Sequence, residues 1–257
     1  MRDEIDEARD WQGNEVDCAP CAHQPLLAKG LCRLKHACVN DRYARRIDRF
    51  FNWNRQLANS YVQHPHFEVR AIAARHANIF LLPGLLDDPE ETVRWNAARR
   101  LPINRILQLR TDPHREVRIR IAALLEDADL VPMMGDADYY VRLVIARRVT
   151  PSLLAGMVHD EEAEVRRVVA SRAPREWLFQ MMTDPEAAVR LEVARRLAPE
   201  LLVRLRHDPD WRVRHEVASR IPLSHLEGLQ EDDDLLVREM AQARLAGRPE
   251  QLRDMPV

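Results

Sequence analysis

The residues best suited to chemistry are four cysteines that lie close to one another near the start of the chain. They are Cys18, Cys21, Cys32 and Cys38, spaced C-x2-C-x10-C-x5-C, and no cysteine occurs after Cys38. A C-x2-C pair directs two thiolates at one metal centre through a tight turn, and two further cysteines can complete a four-sulfur site. The pattern therefore predicts a metal site with these four ligands. The ordinary alternative is a set of reactive or merely buried thiols.

The spacing alone leaves the metal open between zinc and an iron–sulfur cluster. Structural zinc sites usually show two close cysteine pairs, whereas a cubane accepts wider spacings because four irons hold the thiolates apart. Eight basic residues lie between positions 29 and 55, but both centres carry net negative charge, so the basic shell does not decide. His23 and His36 could ligate. With four thiolates available, we expect them to lie around the site or in solvent.

The composition limits the location and the class of the protein. The 257 residues are 46% hydrophobic and 31% charged, with a net charge of −2, which favours neither nucleic acid nor an anionic membrane. The sequence contains no apolar run of about 18 residues, so we expect no membrane span. Residues 1–17 contain seven acids and two arginines, the reverse of a secretory signal. We therefore expect a cytoplasmic protein with reduced cysteines, which favours metal binding over disulfides.

Beyond the cysteines, one dipeptide recurs with a strict 24-residue period. In this phase Val-Arg occurs eight times without an insertion, at Val69, Val93, Val117, Val141, Val165, Val189, Val213 and Val237. Five residues after the valine stands alanine in seven units, and two apolar residues follow at 13 and 16 positions, as at Leu82 and Leu85. Each unit is predicted to be a helix of about three turns plus a short helical return. Units this small must stack to bury a core, which predicts an all-α solenoid.

Each valine is preceded, in seven of eight units, by an aspartate five residues earlier, and in five units a proline follows that position. Aspartate accepts bonds from the free N–H groups at a helix start, and proline fits the first helical position. The Asp-Pro pairs, such as Asp88-Pro89, are therefore predicted to be N-caps. His64 occupies the aspartate position in the first unit.

The arginine of each Val-Arg pair lies inside the apolar arc of its helix on a 100° wheel. An unpaired buried charge would be expensive, so we expect each guanidinium to bond a neighbouring unit's aspartate or helix-terminal carbonyls. The functional alternative is a phosphate-binding track. Residues 56–257 contain 29 basic and 32 acidic groups, however, and nucleic-acid-binding arrays are usually basic. The balance favours the structural interpretation.

The cysteine cluster and the 24-residue units, such as Asp88-Pro89, Val93-Arg94, Ala98 and Leu101-Pro102, together resemble the leucine-rich repeat variant proteins with an N-terminal iron–sulfur domain. The resemblance covers nearly the whole chain. It implies a right-handed superhelix of alternating α- and 3₁₀-helices and a [4Fe–4S] cluster held by Cys18, Cys21, Cys32 and Cys38. It divides the chain into a cluster domain at 1–52, repeats at 53–250 and a tail at 251–257. Leu124, Glu126 and Ala137 depart from the pattern, so we expect irregular packing there.

The sequence contains no glycine-rich phosphate loop, no HExxH and no nucleophile elbow, and the resemblance supplies no defined activity. We therefore expect a non-enzymatic scaffold that binds a macromolecule, most simply a protein, while the cluster serves redox responsiveness, electron transfer or an end cap. The alternatives are a nucleic-acid-binding or repair-type repeat protein, a scaffold with a structural zinc site, and an enzyme that uses the cluster as an electron relay.

Overall fold

The computed structural model describes residues 7–247, and its chain forms two compact units, Met1–Leu125 and Glu126–Val257. Between residues 7 and 247 there is no β-strand. Two isolated antiparallel bridges, Arg9 with Glu15 and Arg33 with Ala37, are both in the N-terminal part. The predicted tail at 251–257 lies outside the described residues.

Every predicted repeat contains its α-helix. In each, the Val of the Val-Arg pair is buried, and so is the Ala five residues later in the seven repeats that have it. The small alanine allows neighbouring helices to approach closely. The helices of the first unit are Phe67–His76, Glu91–Ala98 and Arg115–Ala122, and those of the second are Tyr139–Arg148, Ala163–Arg172, Ala187–Arg196, Trp211–Arg220 and Leu235–Leu245.

The returns are mostly 3₁₀-helices, as the resemblance implied. The apolar pairs on them are buried in all seven returns, because an i, i+3 spacing places both side chains on one side of a three-residue turn. In the second and third repeats a short α-turn precedes the 3₁₀ segment. The 3₁₀-helices are Ile79–Leu85, Leu107–Thr111, Val131–Met133, Pro151–Met157, Arg175–Met181, Pro199–Leu205, Leu223–His225 and Leu229–Glu231, and the α-turns are Ile103–Ile106 and Asp127–Leu130.

The long helix of the third repeat ends at Ala122, in the same phase as the second repeat's helix, which ends at Ala98. After it, Leu124 is 40% exposed and Glu126 is the N-cap residue of the α-turn. Next to it, Asp138 caps the following helix by accepting bonds from the N–H groups of Tyr140 and Val141.

A further repeat precedes the eight. Ala58 and Tyr61 lie 24 residues before Leu82 and Leu85 of the first return. The structure adds an α-helix, Ala44–Trp53, and a 3₁₀-helix, Arg55–Tyr61, which lies one repeat period before Ile79–Leu85. Helix Ala44–Trp53 packs on both Arg55–Tyr61 and Phe67–His76. The cysteine region is therefore joined to the repeats through a complete helical unit.

The predicted N-caps were wrong by two residues. Asp88 is not the cap of helix Glu91–Ala98, because Glu90 is the N-cap residue and Pro89 lies outside the helix. The carboxylate of Asp88 instead accepts the Glu90 N–H at 3.0 Å. The same short-range bond recurs in the later repeats, at Asp112, Asp136, Asp160, Asp184, Asp208 and Asp232. This position leaves the aspartate free to face the arginine of the preceding repeat.

The arginine ladder is confirmed. Arg94 forms a two-bond ion pair with Asp112 of the next repeat, Nε to Oδ2 and Nη2 to Oδ1, both at 2.7 Å. Its Nη1 donates to the carbonyls of Asp88 and Pro89. The other two-bond pairs with this geometry are Arg70–Asp88, Arg142–Asp160, Arg166–Asp184, Arg190–Asp208 and Arg214–Asp232.

A second arginine ladder was missed. Seven residues after the valine, an arginine donates to backbone carbonyls at the end of the preceding repeat's helix. Arg100 bonds the carbonyls of Ala74 and Ala77 at 2.7 and 2.6 Å. These carbonyls have no partner within their own helix, so the guanidinium caps it. Arg172, Arg196, Arg220 and Arg244 repeat the contact. Their regular spacing, in phase with the valines, was a visible signal in the sequence.

Candidate metal centre

The first cysteine pair lies in a tight turn. The Cys21 N–H donates to the Cys18 carbonyl at 3.4 Å, and the short helix Gln24–Ala28 comes next. Both side chains remain partly exposed. This turn is the geometry that a C-x2-C pair adopts when both sulfurs face one centre.

The second cysteine pair flanks a miniature hairpin. Arg33 and Ala37 exchange backbone bonds of 2.9 and 2.8 Å, and Lys35 at the turn has a φ of 61°. Cys32 and Cys38 stand on either side of this bridge, and both are buried. Their side chains are hydrogen-bonded to each other. The x5 spacing, which was wide for a zinc knuckle, is thus the length that one hairpin turn needs to bring two sulfurs together.

Three of the four sulfurs accept N–H hydrogen bonds. The backbone N–H of His23 and the side-chain amide of Asn40 donate to Cys21 Sγ at 3.4 and 3.6 Å. The backbone N–H groups of Arg33 and Asn40 bond the sulfurs of Cys32 and Cys38. Donors of this kind stabilise thiolates and tune the potential of iron–sulfur clusters.

The cysteines interact electrostatically as a group. Burial, and then the negative charges of Cys38 and Cys21, raise the pKa of Cys18. The hydrogen bond with Cys32, and then burial, raise the pKa of Cys38 well above its ordinary value, and the same bond lowers the pKa of Cys32. Thiolates this close repel one another, so the set needs a bound cation to be fully deprotonated.

These observations bear on which metal group the four cysteines could hold. Four thiols, none in a disulfide, lie in one region with N–H donors on their sulfurs. Within residues 7–247, no three His, Cys, Asp or Glu side chains are drawn closely enough around one point to hold a single metal ion. Four cysteine thiolates are the donor set that iron–sulfur clusters use, and structural zinc sites use it as well.

The two nearby histidines have other partners. The ring of His23 forms a short hydrogen bond with the Tyr61 hydroxyl and packs on Phe50, and its burial lowers its pKa. The Nδ1 of His36 faces Arg49 Nη1 at 2.8 Å. We therefore find both histidines beside the cysteine region with their rings engaged elsewhere.

Tyr61 was not singled out in the sequence as part of the site. Burial, and then the charge of Cys21, raise the pKa of its phenol to about 12. The ring also packs on Phe51 at 5.5 Å. A neutral, buried phenol that bonds His23 fixes the loop that carries Cys21 against the helix Ala44–Trp53.

The N-terminal segment covers the site, which the sequence did not reveal. Residues 8–16 form a narrow hairpin, closed by the bond from the Val16 N–H to the Ala8 carbonyl at 2.9 Å. Ala8 and Val16 pack with Leu34 against Cys38. Because this apolar layer excludes water, the hairpin shields the sulfur of Cys38.

Two buried polar residues anchor this arrangement. Arg46 pairs with Asp41 at 2.8 Å and donates to the Glu7 carbonyl at 2.9 Å, which holds the start of the hairpin. Asn54 is fully buried, and its amide donates to the carbonyls of Leu31 and Phe50. The residue before Cys32 is thereby tied to the helix Ala44–Trp53.

The class is defined by helical repeats that follow an N-terminal region with four free cysteines. A family profile described as "LRV protein FeS4 cluster" matches residues 8–60. A solved structure, titled "A leucine-rich repeat variant with a novel repetitive protein structural motif", is 40% identical, with a TM-score of 0.84 over 89% of this chain and 98% of that one. The chain belongs to the leucine-rich repeat variant family.

A curated relative adds sequence evidence. It is named "Uncharacterized 27.7 kDa protein in nifB 3'region", from Rhodobacter capsulatus, and is 49% identical over 84 residues. The match spans only 34% of that relative's length and 33% of this chain. The family profile favours an iron–sulfur centre over the zinc alternative. Among the described helices, none is both long and apolar enough to cross a membrane.

Proposed function

We propose that this protein is a non-enzymatic interaction scaffold whose N-terminal domain carries a [4Fe–4S] cluster. The observation that carries the proposal is the gathering of four thiols, with N–H donors on three of their sulfurs, at the first helical unit of a repeat array. The ligands are Cys18, Cys21, Cys32 and Cys38. A bound cluster of this type supplies one-electron chemistry.

The chain's own residues fit this role by holding and shielding the sulfurs. The hairpin of residues 8–16 keeps water from Cys38, while Asn54 and Arg46 fix the two segments that frame it. Asn40 reaches two sulfurs, through its side chain to Cys21 and through its backbone to Cys38. These contacts support a resident centre in a prepared site.

The scaffold part of the proposal rests on how the repeats use their charges. The arginines of both ladders bond aspartates or backbone carbonyls of adjacent repeats, so their guanidinium groups hold the repeats together. The residue two positions before each valine varies from repeat to repeat and is exposed at Phe67 and Tyr139, and repeat proteins place their binding specificity on such variable surfaces. We propose a protein partner.

The cluster is tested on anaerobically purified protein. We expect brown protein with broad visible absorbance that bleaches with dithionite, and about four iron and four sulfide per chain. Cys32→Ser or Cys38→Ser should lower the iron content, whereas His23→Gln and His36→Gln should retain it, because both histidine rings have other partners. Stoichiometric zinc without iron would refute the iron–sulfur assignment.

A further inference from the structure

The charge of the chain is divided unequally between its two units. Residues 1–125 contain 20 basic and 16 acidic residues, and residues 126–257 contain 19 and 25. The acids of the first unit are concentrated at its start, since seven of them precede Cys18. The excess of positive charge in this unit therefore lies in the cysteine loop and in the helices after it.

The cysteine loop itself, residues 18–40, contains no acidic residue. Its three cations, Lys29, Arg33 and Lys35, are all exposed. Among the described residues, none of the three side chains forms an ion pair. The charge of Lys35 makes a small contribution to the lowered pKa of Glu7, after the larger effect of Arg9. Asp41, the first acidic residue after the loop, is buried against Arg46, so it does not neutralise these cations.

Apolar side chains interrupt the same loop. Leu27 and Leu31 are 37% and 39% exposed, and they alternate with Lys29 and Arg33 along the chain. The sulfurs of Cys18 and Cys21 are partly exposed in this loop as well. Small apolar contacts within a charged rim are typical of transient protein interfaces, which gain their association rate from charge complementarity.

We propose that this surface, the cysteine-loop face formed by Leu27, Lys29, Leu31, Arg33 and Lys35, docks an acidic protein of the one-electron-carrier class. The proposal rests on the proposed function, since such a partner would meet the cluster at its exposed side. The patch is compact and confined to one loop, which suits a globular acidic partner. A nucleic-acid strand needs a longer track of free cations, and the arginines of the two ladders, which recur along the repeats, are bound to aspartates and carbonyls.

The test uses the full-length, cluster-containing protein and an acidic plant-type [2Fe–2S] ferredoxin as the probe. Binding is measured at about 0.02 M and about 0.2 M salt, because exposed charges are screened over this range. We expect the higher salt to weaken binding at least about ten-fold. The triple variant Lys29→Glu, Arg33→Glu, Lys35→Glu should weaken binding at low salt by a similar factor.

The matched control changes the same total charge elsewhere. Arg99, Arg105 and Arg147 are exposed arginines of the repeats, and their reversal to glutamate should change ferredoxin binding by less than about two-fold. Equal effects of the two triple variants would overturn the proposal, as would no effect of either. A DNA duplex that binds more tightly than ferredoxin and loses binding in the loop variant would overturn it in favour of nucleic acid.

The failure of the proposed function has a different readout. Iron content and visible absorbance of the same preparations report the cluster, whereas the binding data report the surface. Loop-variant protein that keeps its iron but loses the ferredoxin supports the docking face. Wild-type protein that binds no iron refutes the cluster, and the docking proposal is then decided by whether the two triple variants differ in binding.

Discussion

Arg142 and Asp160, which are 18 residues apart in sequence, form an ion pair with two hydrogen bonds between adjacent repeats, and the pair is almost fully shielded from solvent. Nε lies 2.7 Å from Oδ2 and Nη2 lies 3.0 Å from Oδ1, while Nη1 donates to the Asp136 carbonyl. The side chains are 7% and 6% exposed. One guanidinium thus joins the carboxylate of the following repeat to the loop that opens its own helix.

Removal of one member of this pair should be costly. Arg142→Met leaves the Asp160 carboxylate buried without its partner, and we expect a loss of about 3–5 kcal/mol in the free energy of unfolding. Arg142→Met with Asp160→Leu should lose less than Arg142→Met alone, because no buried unpaired charge remains and Glu161, which also loses its bond to Arg142, is exposed. Chemical denaturation followed by circular dichroism measures both. Arg167→Met, at an exposed pair with Glu164, is the control, with an expected change below about 1 kcal/mol. An unchanged melting temperature for Arg142→Met would refute the ladder.

The second ladder makes a separate prediction. Arg196 donates to the Ala170 carbonyl at 2.6 Å, across one repeat. Arg196→Ala should destabilise the protein by about 1–3 kcal/mol, since it removes a charged donor from a helix-end carbonyl. Arg196→Lys should recover part of the loss. Arg147→Ala serves as the matched control in the same denaturation experiment. Arg147 is exposed and lies six residues after the valine of its repeat, whereas Arg196 lies seven residues after the valine of its own. Equal stability of Arg196→Ala and Arg147→Ala would show that the contact contributes nothing.

The repeats could be predicted from the sequence because the same residue types recur at a strict spacing of 24 residues. Buried positions such as Val141 and Leu154 result directly from a repeat period that no insertion shifts. The capping error at Asp88 has a physical cause, because aspartate also bonds an N–H two residues ahead outside a helix, and the sequence cannot distinguish the two bonds. The additional unit was hidden since Arg45 and Phe50 stand where valine and alanine stand in the other repeats.

The candidate site was only partly predictable. The four cysteines could be assigned as ligands from type and spacing, and that assignment stays a prediction. The contacts that frame them could not be foreseen. The hairpin of residues 8–16 is held by backbone bonds and by two small apolar residues, neither of which has a periodic signature. Asn40 and Asn54 act through hydrogen bonds to Cys21 and Leu31, 19 and 23 residues away in sequence, and no local pattern reveals such bonds.

Asp232 of the first arginine ladder makes the stability dependent on pH at the acid end. The hydrogen bond from Arg214 lowers the pKa of Asp232 in the folded protein. A carboxyl with a lowered folded pKa binds fewer protons when folded, so its stabilisation is complete above the unfolded pKa of about 3.9 and is lost as the pH falls below it. We expect the melting temperature to be flat near neutrality and to fall below about pH 4. Asp232→Asn should be less stable at pH 7 and lose less on acidification. A parallel acid response in wild type and Asp232→Asn would contradict this assignment.

The hairpin of residues 8–16 should set how fast the proposed cluster is lost. Val16 packs beside Ala8 and Leu34 over Cys38. Val16→Asp places a charge in this apolar layer, which should admit water and open the cover rather than tolerate an unpaired carboxylate. We therefore expect visible absorbance to decay several-fold faster in air or with an iron chelator, with the helical circular dichroism of the repeats retained. Val203→Asp, at an exposed valine of a repeat, introduces the same charge away from the site and should leave the decay rate unchanged. Equal decay rates in Val16→Asp and wild-type protein would show that the hairpin does not protect the centre.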